Sequence, residues 1–243
     1  MNQFKSSAEL KASAREHLLG HYGTVIGAFV LMGAILGVVT IVVSLIVDIS
    51  TIPGTILYYA IMFLVSVLTG LFTSGSAYLY LKLICGRPVS VADLFYGFQL
   101  CPDKAVAMQA WITLITYIGS LPQIVVNYLM MMNLNQAVKL MLPYALSLIL
   151  SGVVTVMLSL LYSQAFFLLH DFPQYTAKEL LRKSRRLMVH HKGRLFYLYV
   201  SFLPLMLLGL LSWGLALLWV IPYIAATEAE FFLDLIKHNT EAA

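Results

Sequence analysis

Long apolar runs free of Asp, Glu, Lys and Arg alternate along the chain with short segments crowded with polar and basic positions. The runs occupy 22–47, 49–81, 105–138, 140–170 and 195–227. A helix needs about 20 apolar residues to cross the ~30 Å hydrocarbon core of a bilayer, and each run is long enough. They predict membrane spans at about 22–47, 53–81, 105–128, 141–169, 195–211 and 214–235. The stretch 195–235 is divided because it is too long for one crossing even when tilted, and Ser212-Trp213-Gly214 offers a tight turn. A single helix kinked at Pro204 or Pro222 is the competing reading, and it would put the C-terminus on the other side. The predicted fold class is all-α: one integral membrane domain over 1–243, a polytopic transmembrane helical bundle of six spans with amphipathic interfacial helices.

Two segments outside these runs carry helical periodicity with a polar face. Residues 4–19 place Leu10, Ala14, Leu18 and Leu19 on one side, with Gly20 as a stop. Ser6 and Glu9 form a capping box, in which each side chain satisfies a backbone N–H left unpaired at the helix start. Residues 176–192 repeat the design. Thr176 and Glu179 form the box, and Ala177, Leu180, Leu181, Ser184, Leu187 and Met188 make the apolar stripe. Lys178, Arg182, Lys183, Arg185 and Arg186 fill the remainder. Helices of this kind can lie in the membrane interface.

The two segments align without gaps. Ser6 meets Thr176, Glu9 meets Glu179, Leu10 meets Leu180, Arg15 meets Arg185, His21 meets His191 and Gly23 meets Gly193. A weaker third copy starts at Ser90, where Asp93 supplies the acid of the cap before the third span. The alignment is consistent with three hairpin repeats, each an interfacial helix followed by two spans. It is equally consistent with shared demands, because any interfacial helix uses a cap, a basic face and a glycine exit.

Composition agrees with lipid as the solvent: 60% of residues are hydrophobic and 11% charged, with a mean hydropathy of +0.87. Soluble domains carry roughly a quarter charged residues. Charge placement gives orientation. Fourteen of the fifteen Lys and Arg residues fall in 1–21, 82–104, 170–194 and the C-terminal tail, and only Lys139 lies elsewhere. Cytoplasmic loops carry such an excess, so the expected location is the cytoplasmic membrane, with both termini inside. The loop at Asp48 has no Lys or Arg and is expected outside. Tyr22–Val47 exceeds the 7–15-residue apolar core of a cleavable signal and is expected to remain as a span. The net charge of +4 is distributed beside spans and not gathered into a domain that could grip nucleic acid. Cys85 and Cys101 share a loop expected to face a reducing compartment.

Several residues stand out as candidates. Arg182, Arg185, Arg186, Lys192 and Arg194 could dock anionic head groups, although the positive-inside bias alone also predicts them. Glu228 and Glu230, beside Pro222, are acids at or near membrane depth, where an ionisable group is a functional hypothesis by default. Pairing with a basic loop residue is the plainer alternative. Gly23-xxx-Gly27 and Gly33-xxx-Gly37 have the spacing of close helix contacts. His17 and His21 are four apart, but zinc sites need three or four convergent ligands, so no metal or other cofactor is expected. No nucleophile elbow, phosphate-binding loop or His-Glu-x-x-His motif occurs, and no enzymatic activity is expected.

The segments Ser184–Phe196, Ser201-Phe202 and Trp219–Thr227, together with Ser7–Arg15 at the start, resemble an uncharacterised bacterial family of integral membrane proteins of unknown function. His190-His191 stands where that family has a Gly-His or Gly-Asn pair. The family is in turn distantly similar to the membrane domain of some glycerophosphodiester phosphodiesterases, a resemblance that implies lipid-related work and supplies no catalytic residue. The expected function is therefore non-enzymatic engagement of anionic lipid or another amphiphile. A small transporter or permease component built around Glu228 is the second expectation. A scaffold or assembly subunit, with a protein partner or a homo-oligomer, is the third.

Overall fold

The computed structural model describes residues 4–132 and 137–241, and the described residues are helical throughout apart from turns. Of the connection predicted between the third and fourth spans at about 129–140, residues 133–136 lie outside the described residues, and the rest is helical. Helix α1 (Ser7–Leu18) is followed by α2 (Tyr22–Ile46), α3 (Ile52–Ile84) and a 3₁₀ segment at Val91–Phe98. Then come α4 (Pro102–Met132), α5 (Ala137–Tyr162), α6 (Ala165–Asp171), α7 (Ala177–Leu187), α8 (Lys192–Val200), α9 (Leu203–Leu211) and α10 (Leu217–Glu241).

The start signals act as their residue types require. Glu9 accepts from the Ser6 N–H at 2.6 Å while Ser6 Oγ accepts from the Glu9 N–H at 3.3 Å. Glu179 and Thr176 repeat the exchange at 2.8 and 3.4 Å. The Ser6 N–H bond, together with the Ser6 hydroxyl, holds the Glu9 carboxyl below its ordinary range. Thr51 Oγ1 caps α3 by accepting from Gly54 N–H at 3.2 Å. The equivalent residues His21 and His191 both precede their helices with nearly the same backbone, φ −115° and −112°.

Among the described residues, five stretches are long and apolar enough to cross a membrane: Tyr22–Ile46, Ile52–Ile84, Pro102–Met130, Lys139–Asp171 and Lys192–Leu211. Helix α10 also has the length but carries Glu228, Glu230 and Asp234. The chain reverses between α9 and α10 at residues 212–216. Trp213 and Gly214 adopt φ of 55° and 88°, and a Cβ on Gly209 would lie 2.3 Å from Leu217. Eight residues along a continuous helix are about 12 Å apart, so this contact excludes the kinked single helix.

Packing is strongly asymmetric. The fully buried large residues include Leu10 and Leu18 of α1, Leu79 and Leu83 of α3, Leu94, Met108, Leu169, Leu180, Met188, Phe202, Phe231 and Phe232. These lie at the end of the bundle that carries the basic segments. Toward the other end, Ile41, Leu45 and Ile46 of α2, Leu146, Ile149 and Val153 of α5, and Leu210 and Leu211 of α9 are exposed. Exposed apolar area on this scale is foreign to water-soluble monomers. The molecule is a membrane-embedded helical protein with a packed collar at its basic end.

Two expectations change here. Helix α1 turns its apolar face into protein: Leu10, Ala14 and Leu18 are buried against α10, α3 and α8, and only Leu19 stays exposed. Its stripe therefore completes the core and does not rest on lipid. Within the chain, the glycines of α2 do not make close helix contacts. A Cβ on Gly23, Gly33 or Gly37 would meet open space, and on Gly27 only ordinary contact with Val91.

The tight glycines lie elsewhere. A Cβ on Gly75 would fall 1.7 Å from the Leu94 carbonyl oxygen, and one on Gly97 would fall 2.0 Å from that of Leu71. Backbone thus meets backbone where the 3₁₀ segment docks on α3. Gly75→Ala and Gly97→Ala are each expected to lower stability by at least about 1–3 kcal/mol, the usual cost of overpacking. Gly33→Ala should leave stability unchanged or raise it, as Ala is the better helix former. Melting temperatures of the three variants in one detergent check this.

Candidate functional site

Helix α7 lies across the ends of α4 and α5, and its sequence explains the pose. Leu180, Leu181, Ser184 and Met188 are buried, and Ser184 Oγ donates to the Leu161 carbonyl at 3.0 Å. That carbonyl belongs to the last turn of α5, where intrahelical donors run out. The cations on the opposite side of α7 then divide into two sets.

Lys178, Arg182 and Arg185 recur at four- and three-residue spacing and line one wall of a groove of about 460 Å³. Ala177 and Leu181 form its base, with Ala107 and Trp111 of α4 and Tyr162 of α5 opposite. None of the three cations forms a salt bridge among the described residues. Glu179, the nearby acid, is taken up by the Thr176 cap. Lys183 and Arg186 face the other way into a second hollow of about 310 Å³ with Leu168, Phe172, Leu187 and Ile236. Lys183 sits over the Tyr175 ring at 3.3 Å, and Lys104 Nζ donates to the Pro173 carbonyl beside it.

Arg194 does not belong to this basic surface. Its guanidinium pairs with Asp234 of α10 and donates to the Lys5 carbonyl, and it lies over the rings of Phe4 and Phe231 at 4.8 and 5.0 Å. Lys192 is partly exposed at the start of α8, away from the groove lining. Of the five cations singled out in the sequence, Arg182 and Arg185 share the groove, and Arg186 lines its neighbour. Lys178, Trp111 and Tyr162 join the groove without having been singled out for it. The spacing 178–182–185 was a readable signal for Lys178, whereas nothing in the sequence announces Trp111 as its partner.

The acids of α10 are also redistributed. Glu230 Oε1 accepts from Ser13 Oγ at 2.7 Å and faces His17 at 3.4 Å, and its other oxygen meets Lys5 Nζ at 3.3 Å. Asp234 takes Arg194, with His238 at 3.7 Å. Phe4 stacks on His238 with ring centroids 4.1 Å apart. Burial, and after it the neighbouring Arg194, holds His191 beside this junction below the ordinary histidine pKa. Glu228 faces the Tyr199 hydroxyl of α8 instead. Residues two apart on a helix point in nearly opposite directions, so Glu228 and Glu230 serve different surfaces and do not combine into one site. Pro222 is accommodated inside a continuous α10. Glu230 and Asp234 act as anchors for α1 and α8, and Asp234 was not singled out in the sequence.

Chemically, the groove offers three free cations above an aromatic and aliphatic floor. It suits an anion carrying an apolar body, and its lining presents no carboxylate, imidazole or thiol for acid–base or nucleophilic work.

Compared with known proteins, residues 1–239 match the model of a family described as Protein of unknown function (DUF975). No curated protein matches the chain, and no solved structure does.

The α10 junction gives a direct test. Arg194→Met leaves the buried Asp234 without its guanidinium and is expected to cost about 3–5 kcal/mol, as for other broken buried pairs. Adding Asp234→Leu should recover most of that loss. Unfolding of both variants and the parent in the same detergent measures it.

Proposed function

This chain belongs to the DUF975 family of unknown function, and from that premise we propose that it holds an anionic amphiphile in the groove between α4 and α7. The observation that carries the reading is the combination in one hollow of Lys178, Arg182 and Arg185 with Trp111, Tyr162 and Leu181. Cations near an anionic leaflet attract its head groups by about 1 kcal/mol each. Trp and Tyr favour the level of the head groups. An acidic head group would sit against the cations, with its chain along the floor. The activity is binding and presentation of the amphiphile, not catalysis.

The topology that suits this role has six crossings, α10 being the sixth, with both ends and the groove on the cytoplasmic side of the cell membrane. Three features support it: the alternation of basic and charge-free turns, the reversal at 212–216, and the capped helices at Ser6, Ser90 and Thr176. We also read those caps as relics of a triplicated hairpin. Asp93 accepts from the Ser90 N–H at 2.8 Å, as Glu9 and Glu179 do from their own caps.

Neutralising Lys178, Arg182 and Arg185 to Gln is expected to reduce co-purifying phosphatidylglycerol roughly hundredfold, from three lost contributions of about 1 kcal/mol. The buried face of α7 is untouched, so the melting temperature should hold. Lipid analysis of the purified proteins reads the result, and wild-type protein without bound anionic lipid would overturn the proposal. Cysteine labelling in intact cells should reach a site beside Asp48 and spare one beside Arg186. Equal labelling of both would overturn the topology.

A further inference from the structure

Helix α4 carries a second pattern that the groove does not use. Gln109, Thr113, Thr116, Ser120, Gln123 and Asn127 recur at spacings of four and three, which keeps all six on one face of a helix. From 109 to 127 this face covers about 27 Å at the helical rise, close to the full hydrocarbon thickness. Nothing on it is charged.

The two halves of this stripe differ. Toward the basic end it is closed: Thr113 is buried, Gln109 donates to Thr113 Oγ1 at 3.4 Å, and a Cβ on Gly70 of α3 would lie 2.5 Å from Gln109. Toward the other end, α3 and α4 separate around two adjoining hollows of about 250 and 240 Å³. The first is lined by Tyr59, Thr116, Tyr117, Ser120, Gln123 and Asn127, and Tyr59, Ile124 and Asn127 continue into the second.

We infer that this cleft binds an uncharged, polyhydroxylated group of the kind a sugar presents. Ser120 and Thr116 each donate to a carbonyl of their own helix, at 2.8 and 2.9 Å, and keep lone pairs toward the hollow. Gln123 Oε1 accepts from Ser151 at 2.6 Å, leaving its amide N–H groups as donors. The Asn127 amide has no hydrogen-bond partner among the described residues. Asn127 is exposed near the end of its span, where a polar head group or solute reaches it, so this lining is open to something polar from outside the fold. Hydroxyls and amides both donate and accept, which matches a polyol, where each position does the same. A phosphate or an ammonium group would call for opposite charge; the linings of both hollows hold none, and the nearest acid, Asp48 beside Ile49, is taken up by Ser50. The Tyr58, Tyr59 and Tyr117 rings supply flat faces for the C–H side of a sugar ring. A helix of a second copy, about 10 Å across, does not enter hollows of this size.

The sugar can reach the cleft free in water or as the head of a glycolipid, and the test separates the two. Protein in phosphatidylcholine nanodiscs is offered monoglucosyl-diacylglycerol or plain diacylglycerol, and retained lipid is read by native mass spectrometry. Methyl glucoside is measured separately by equilibrium dialysis. Wild type should retain the glucosyl lipid about tenfold over the plain one, and Q123L/N127L should erase the preference through the loss of two or more hydrogen bonds. Arg182→Gln should leave it intact. Binding of methyl glucoside alone, lost in the same variant, supports the site with free sugar as the source. If Q123L/N127L is not monodisperse, the milder T116V/S120A decides, and undiminished binding in it overturns the inference. So does equal retention of the two lipids without methyl glucoside binding, or crosslinking of N127C between copies in a C85A/C101A background.

Discussion

The arrangement depends on two carboxylates that could not stay buried alone. Glu230 and Asp234 sit on the inward side of α10 with 5% and 4% of their side chains exposed. Removing an ionised carboxylate from water costs several kcal/mol unless a partner and further hydrogen bonds offset it. Lys5, Ser13 and His17 supply this for Glu230, and Arg194 with His238 supplies it for Asp234. Apart from His238 on α10 itself, the partners come from α1 and the residues just before it and from the start of α8. Satisfying two acids therefore fixes three elements that are remote along the chain, and the buried faces of Leu10, Ala14 and Leu18 follow.

Seen from this junction, the uneven packing has a physical logic. At the basic end water competes for apolar surface, and short helices interleave with the long ones to bury it. Farther along, lipid is as apolar as the side chains, so little drives helices together beyond close fit and hydrogen bonds. Specific contacts there are few: Gly119 against Val154, Ser151 to Gln123, and the Phe63–Tyr117 edge contact. The two proposed sites inherit these different settings. The cationic groove lies where a helix is held firmly over the ends of others, and the uncharged cleft lies between α3 and α4 where few contacts fill the space.

Much of this was legible in the residues. Apolar run length gives the long helices, and the Ser6–Glu9 and Thr176–Glu179 spacings give two helix starts to within a residue. Periodicity also gives the buried side of α7. It names a face, however, and not the neighbour that covers it. That is why the stripe of α1 reads as a lipid contact although α10 covers it. Arg194 looks like one more member of a basic run, and only the tertiary fold separates it from Arg185. Glycine spacing likewise does not name the neighbour within the chain. Four regularly placed glycines on α2 meet nothing close, whereas Gly75 and Gly97, with no shared motif, bring two backbones into contact. The 3₁₀ segment at 91–98 shows only as a cap, since its stability comes from docking and not from its own hydrogen bonds.

The pairing of the first helix with the last has a bearing on how the molecule is made. The partner of Lys5 lies 225 residues downstream, and ribosomes emit the chain from its N-terminal end. Helix α1 therefore emerges first, and although α3 and α8 offer part of its dock, most of it and both anchoring acids come only with α10. The pairing of Lys5, Ser13 and His17 with Glu230 must wait through the insertion of everything between, and closure of the junction is the closing act of biogenesis.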